Sequence, residues 1–348
     1  MDLSSWELPL LLPVRIGSVE TRVRRGLRVK VGAGDLEGIG ECAPTPELGT
    51  ETLEASHARL VEVARDWEQE RAPESLERID QLLDAGVLRD APAARSAVEM
   101  ALLDVLGRRS GVPLAKLFDD SPSATVEVSA QLITRDTETA IRLALRAVGL
   151  GFQTLKLKVR DSRECERVGA VRNAIGRAFK LRVDANGQWS ETEALEHLQA
   201  FSRYHVELCE QPVADFATLL RVAAESPVPL AADESAKNAL ADGPGSIRFV
   251  VLKPLVWGGL VRVWRAAQQA KSLGLTVVLT HAFDSPRACE AVAHLASALE
   301  SNVQSRVAHG VGGWGWSPRA SFGVDEAKPH LWTLSSRPGL VDREGARE

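Results

Sequence analysis

The chain has 348 residues, 45% of them hydrophobic, and a formal net charge of −5 with both signs interspersed. That length suits two domains and a large core, and the lack of a basic block excludes a nucleic-acid or membrane-surface footprint. The four cysteines (Cys42, Cys165, Cys209, Cys289) form no CxxC pair, and the opening MDLSSWELPLLLPVRIG has neither a basic region nor a long apolar run. Reduced thiols, no signal peptide or membrane span, and a cytoplasmic location are therefore expected.

Residues 1–120 read as an α+β domain. Strands are expected at 3–10, 26–32 and 37–43, the last two joined by a turn at Gly32, Gly34 and Asp35. Helices follow over 51–67, opening after Thr50 as N-cap, over 74–83, and over 93–109, which Gly111–Pro113 stops. Residues 121–320 alternate short apolar runs with amphipathic helices. The runs are 125–132, 154–159, 181–185, 206–210, 228–233, 249–253, 275–280 and 304–308. Strands separated by helices pair in parallel, so a β/α barrel is expected. The remaining segment, 321–348, is too short for a domain and is expected to pack back on the N-terminal part.

Polar residues fall at particular places in those runs. In 154–159 the period of two puts Lys156 and Lys158 on one face and Leu155, Leu157 and Val159 on the other. The next four runs end at Asp184, Glu210, Asp233 and Lys253, in steps of 26, 26, 23 and 20 residues from Lys158, each near one strand–helix unit. Any one of these residues has an ordinary reading: a solvated strand face, an Asx turn at Asp184, a helix cap at Glu210 or Asp233, a strand-end charge at Lys253. Their joint order does not. Barrel active sites lie at the C-terminal strand ends, so these charges converge on one mouth.

Three carboxylates so close repel unless a cation joins them. Oxygen ligands suit Mg²⁺, with Mn²⁺ an alternative, and leave positions for a substrate carboxylate; no His/Cys set competes for zinc. A free lysine is a poor base at neutral pH, but a second lysine and a dication favour its neutral form, which makes Lys158 a candidate base. The metal would stabilise the enediolate formed when the α-carbon of a carboxylate loses its proton.

The segments KLK, VDANGQW, CEQP, ADES and VLKP, in this order and spacing, resemble the muconate-lactonizing-enzyme-like subgroup of the enolase superfamily. The likeness covers nearly the whole chain, including GIGECAPTPELGTET at 38–52. It implies a (β/α)7β-type barrel with an α+β cap. It also implies Asp184, Glu210 and Asp233 as metal ligands, Lys158 and Lys156 as the KxK pair, and Lys253 as the lysine on the opposite face. Within the subgroup the chain is most similar to the o-succinylbenzoate synthases. Three features point that way: the segment from Glu41 to Thr52, Arg182 two residues before Asp184, and the turn His309-Gly310-Val311. The Asp-X-Asp with which dipeptide epimerases hold a substrate amine has no counterpart after residue 304. The implied reaction is syn dehydration of 2-succinyl-6-hydroxy-2,4-cyclohexadiene-1-carboxylate to 2-succinylbenzoate, in menaquinone biosynthesis.

Thr280, Ser285, Arg182, Leu48 and the backbone N–H of Gly310 are candidate contacts for this small-molecule carboxylate, and Gly312 and Gly313 offer further amides. His281 and Asp284 offer a dyad, although structural or pocket-lining roles are expected for them, while Trp314 and Trp316 line the pocket or seal the barrel against the cap. Loops at 11–26 and 44–52, the second tipped by Leu48 and Gly49, are expected to cover the mouth. Two readings compete. Opposed lysines also suit an N-acylamino-acid racemase or a dipeptide epimerase. A non-catalytic metal- or acid-binding protein would need neither lysine. Oligomeric state has no signature in the sequence.

Overall fold

Two long antiparallel strands open the fold, β1 (Asp2–Ile16) and β2 (Val19–Ala33), and β3 (Leu36–Cys42) pairs with β2. This is a computed structural model, and it describes residues 1–16, 19–67, 74–134, 136–160, 164–301, 306–313 and 328–340. The loop expected over 11–26 is strand instead. Pro9 and Pro13 each lack a ladder donor, and the β1–β2 register shifts between Pro9 and Val14 before pairing resumes to Ile16↔Val19. Behind the sheet lie α1 (Leu53–Arg65), α2 (Leu76–Asp84) and α3 (Pro92–Ser110). The N-cap of α1 is Thr52, whose hydroxyl accepts from Ala55 N–H; Thr50 instead accepts from Thr45 N–H and closes the 45–50 turn. Gly38 and Gly40 let α3 lie directly on β3, because a Cβ at either would collide with the carbonyl of Ala101 or Ala97.

The run at 125–132 is two short strands, β4 (Thr125–Glu127) and β5 (Ala130–Leu132). There follow α4 (Thr137–Gly149), β6 (Thr154–Lys158), α5 (Glu164–Ile175), β7 (Lys180–Asp184), α6 (Glu191–Ser202), β8 (Val206–Glu210) and α7 (Phe216–Glu225). The series continues with β9 (Leu230–Ala232), α8 (Ala236–Asp242), β10 (Phe249–Leu252), α9 (Pro254–Trp257), α10 (Leu260–Ser272), β11 (Thr276–Leu279) and α11 (Pro286–Leu299). Strands β5 to β11 form one seven-stranded parallel sheet in sequence order. It curls, and parallel bridges Val128↔His309 and Thr280↔Gly310 join its two edges. The eighth run, expected at 304–308, forms no strand among the described residues, and 302–305 lie outside them. Closure falls at residues 309–310, where His309 N–H donates to Glu127 O and Gly310 N–H to Leu279 O, both at 2.8 Å.

The last strand, β12 (Leu331–Thr333), pairs antiparallel with β4. Beyond it Leu340 N–H donates to Asp104 Oδ1 on α3 at 2.8 Å. Arg95 on α3 ties that helix to the barrel: its guanidinium donates to Asp80, Asp84, Glu99 and the carbonyl of Gly258. Glu99 in turn accepts from the N–H groups of Leu260 and Val261 at the start of α10. No helix among the described residues is long and apolar enough to cross a membrane.

Candidate active site

A cavity of about 300 Å³ opens at the C-terminal ends of the barrel strands. Lys156, Lys158, Asp184, Glu210, Asp233 and Lys253 all line it, and Ile16, Glu47 and Leu48 reach it from the N-terminal domain. Parallel register explains the grouping: Lys158 pairs with Asp184 and Asp184 with Glu210 across adjacent strands. Leu155, Leu157 and Val159 are buried on the other face of β6, so the period of two turns every lysine inward.

The Lys156 ammonium bridges Asp184 Oδ2 at 2.9 Å and Glu210 Oε1 at 2.7 Å, and Lys253 donates to both oxygens of Asp233. Burial disfavours the charge on Lys156 and Lys253, but the carboxylates outweigh it and hold both above the ordinary lysine value, Asp184 leading for Lys156 and Asp233 for Lys253. Lys158 goes the other way. Burial lowers its pKa, Lys156 and Lys253 add to the effect, and Asp184 only partly offsets it. Burial, with repulsion from Asp184 and Asp233, pushes Glu210 up to about 8 against the pull of Lys156.

Gln211, part of the CEQP segment but with no role expected from the sequence, holds this set in shape. It is fully buried with a φ of 38°, and its side-chain oxygen accepts from Asp233 N–H at 2.9 Å and Ser235 N–H at 3.1 Å. Its amide nitrogen donates to Ser235 Oγ, which adds to the bonds fixing the turn that aims Asp233, and to Val213 O in its own loop. Asp184 does form the Asx turn, accepting from Asn186 N–H with Oδ1.

Among the described residues no trio of His, Cys, Asp or Glu is already drawn together at metal-ligand spacing, because the lysine ammoniums take up the carboxylate oxygens. The donor set nevertheless fits a hard divalent cation. Three buried carboxylates end neighbouring strands, and the crowding that raises Glu210 is relieved by added positive charge.

Other expected contacts divide. Thr280 and Leu48 line the cavity, and Leu48 lies on the turn closed by Thr50. Arg182 does not line it. It lies one layer deeper in the barrel, donating to Glu207 Oε2 at 2.6 Å and Ala308 O at 2.7 Å, because it is two residues short of the strand end. Ser285 caps α11, its hydroxyl accepting from Ala288 N–H. The N–H of Gly310 is spent on closing the barrel, and Gly312 O faces the His281 ring. His281 and Asp284 each bond to backbone: Phe283 N–H donates to His281 Nδ1, and Ala282 N–H to Asp284 Oδ2. Trp314 and Trp316 lie outside the described residues. Arg24, also missed from sequence, donates to Phe283 O, Ala43 O and Thr45 Oγ1 and so pins β2 to the end of β11.

Residues 139–340 match the family described as "Enolase C-terminal domain-like". The chain belongs to the enolase superfamily. Residues 1–80 match "MenC, N-terminal domain". Among curated relatives, a hydrophobic dipeptide epimerase of Enterococcus faecalis is 29% identical over 336 residues, covering 94% of this chain and 93% of that one. An o-succinylbenzoate synthase of Citrobacter koseri is 27% identical, covering 84% and 85%. The solved dipeptide epimerase of Enterococcus faecalis, complexed with Mg and the dipeptide L-Leu-L-Tyr, superposes with a TM-score of 0.87 at 25% identity, covering 97% of each chain. The superfamily's members are enzymes acting on small molecules, as these relatives are.

Proposed function

We propose that this protein is an o-succinylbenzoate synthase, a Mg²⁺-dependent dehydratase. The observation that carries the reading is the match of residues 1–80 to the MenC-type N-terminal domain, since that domain supplies Ile16, Glu47 and Leu48 to the cavity. The segment His309-Gly310-Val311-Gly312, with no acidic residue for a substrate amine, supports it further.

Asp184, Glu210 and Asp233 hold the metal, which when bound supplies Lewis acidity that stabilises charge developing on the substrate carboxylate. Lys158 takes the ring proton next to that carboxylate, and its ammonium then protonates the departing hydroxyl from the same face. Lys253, four strands away across the curled sheet, presents its ammonium to the other face of the ring. Lys156, beside Asp184 and Glu210, adds positive charge next to the reacting carboxylate. The cap shuts water out of the reacting centre.

The epimerase relative, similar over 94% of the chain, favours a second reading, in which Lys158 and Lys253 exchange a proton on opposite faces of a dipeptide or N-acylamino acid. The lysines separate the two. Lys158→Ala removes either activity, by more than the ~10²–10⁴ of one positioned acid/base. Lys253→Arg keeps the charge but cannot give up its proton. Dehydration therefore survives in part, whereas an epimerase stops inverting and still exchanges one enantiomer's α-proton with D₂O. NMR of both substrates in D₂O reads the outcome; complete loss of dehydration in Lys253→Arg contradicts the one-base scheme.

A further inference from the structure

The inward period of β6 does not stop at Lys158. Lys156, Lys158 and Arg160 all line the cavity, while Leu155, Leu157 and Val159 are buried behind them. Each pair of residues in an extended chain climbs about 6.6 Å. The three cations thus form a ladder from the carboxylate cluster at the bottom, past Lys158, to Arg160 at the rim.

The main chain at this rim is held from three sides. Lys158 O accepts from Arg167 Nη2, Val159 N–H donates to Asp184 O at 2.8 Å, and Arg160 O accepts from Trp189 Nε1 at 2.6 Å. Trp189 is itself buried, its ring packed against His197 and Phe201. Asn186 and Gln188 line the same cavity, Asn186 Nδ2 donating to Glu234 Oε1 at 3.5 Å, and Glu47 and Glu234 lie with Asp233 and Lys253.

We propose that Arg160 is a specificity determinant that binds a second carboxylate of the substrate, one carried on a short acyl tail, so that the site selects dicarboxylates. The inference rests on the dehydratase reading for where the first carboxylate sits. With that group at the bottom of the ladder and the reacting carbon at Lys158, a four-carbon oxo-acid tail extends toward the rim over about one further rung. A guanidinium matches a carboxylate with two parallel N–H donors.

The test is calorimetric titration of the Mg²⁺-loaded protein with 2-succinylbenzoate and with 2-butanoylbenzoate, in which a methyl group replaces the tail carboxylate. Wild type is expected to prefer the succinyl compound by about 10–100-fold, the range of a charge-assisted hydrogen bond. Arg160→Gln should bring the two within about twofold, almost all by weaker binding of the succinyl compound, and Arg160→Lys should keep part of the preference. A preference undiminished in Arg160→Gln, or none in wild type, overturns the assignment. Turnover of the cyclohexadiene by wild type, measured alongside, separates the two claims. Turnover with an undiminished preference in the variant removes Arg160 and leaves dehydration standing. A preference lost in the variant without wild-type turnover does the reverse.

Discussion

At the scale of single residues, the same side chain serves chemistry or architecture according to which backbone groups surround it. His281 lines the cavity, yet both ring nitrogens are used: Nδ1 accepts from Phe283 N–H at 2.9 Å, and Nε2 faces Gly312 O at 3.2 Å and so carries the proton. Burial, with Lys156, Lys253 and Arg24 nearby, lowers its pKa from 6.5 to about 4. A base held neutral in the fold but free to charge when unfolded leaves the unfolded chain binding more protons between those values. Its contribution is complete above pH 6.5 and disappears as pH falls toward 4, by roughly 3 kcal/mol in all. His281→Gln should therefore flatten the acid limb of the stability profile, read from urea midpoints at pH 4.5 and 7. An unchanged slope would show that His281 already titrates normally in the fold.

At the scale of elements, the strand-end charges were legible because a parallel strand has two fixed properties, a period of two and a defined C-terminal end, and both survive in one dimension. Lys156, Lys158, Asp184, Glu210, Asp233 and Lys253 could be ordered by those properties alone, and the structure gathers them round one cavity. Roles set by closure were not legible. Gly310 reads as a free turn amide until the barrel edge takes its N–H, and Ser285 as a pocket hydroxyl until α11 takes its oxygen. Gln211 looks like a spacer between Glu210 and Pro212, and only the folded turn shows that it aims Asp233. The β10–α10 connection is of the same kind. Arg95 and Glu99, on α3, hold Gly258, Leu260 and Val261, a few residues past Lys253. Arg95→Met would leave the buried Glu99 without its charged partner, Asp80 keeping Arg265, at a cost of about 3–5 kcal/mol. The urea midpoint should fall accordingly, and a loss under about 1 kcal/mol would mean that water takes over the guanidinium's role.

At the scale of the whole molecule, the cavity is a joint product: the barrel supplies the charges and the N-terminal domain supplies Ile16, Glu47 and Leu48. Burial of the two parts against each other is extensive, with Arg24, Arg95 and Arg287 all crossing the boundary; Arg287 donates to Ile39 O and Asp104 Oδ2. The strand-end charges thus come from one part, and the wall over the mouth comes from both. Sequence could expose the first through spacing. The second depends on which cap residues reach over the mouth, and there β1 and β2, which take up residues 11–16 and 19–26 in place of a loop, set the position of Ile16.

The most direct test of the account is turnover by the purified protein of 2-succinyl-6-hydroxy-2,4-cyclohexadiene-1-carboxylate, followed by NMR with Mg²⁺, after chelation, and after Mg²⁺ is restored. The account predicts 2-succinylbenzoate formed rapidly with Mg²⁺, none above background after chelation, and recovery on adding the metal back. Efficient inversion of a dipeptide or an N-succinylamino acid, with the cyclohexadiene left untouched, would contradict it.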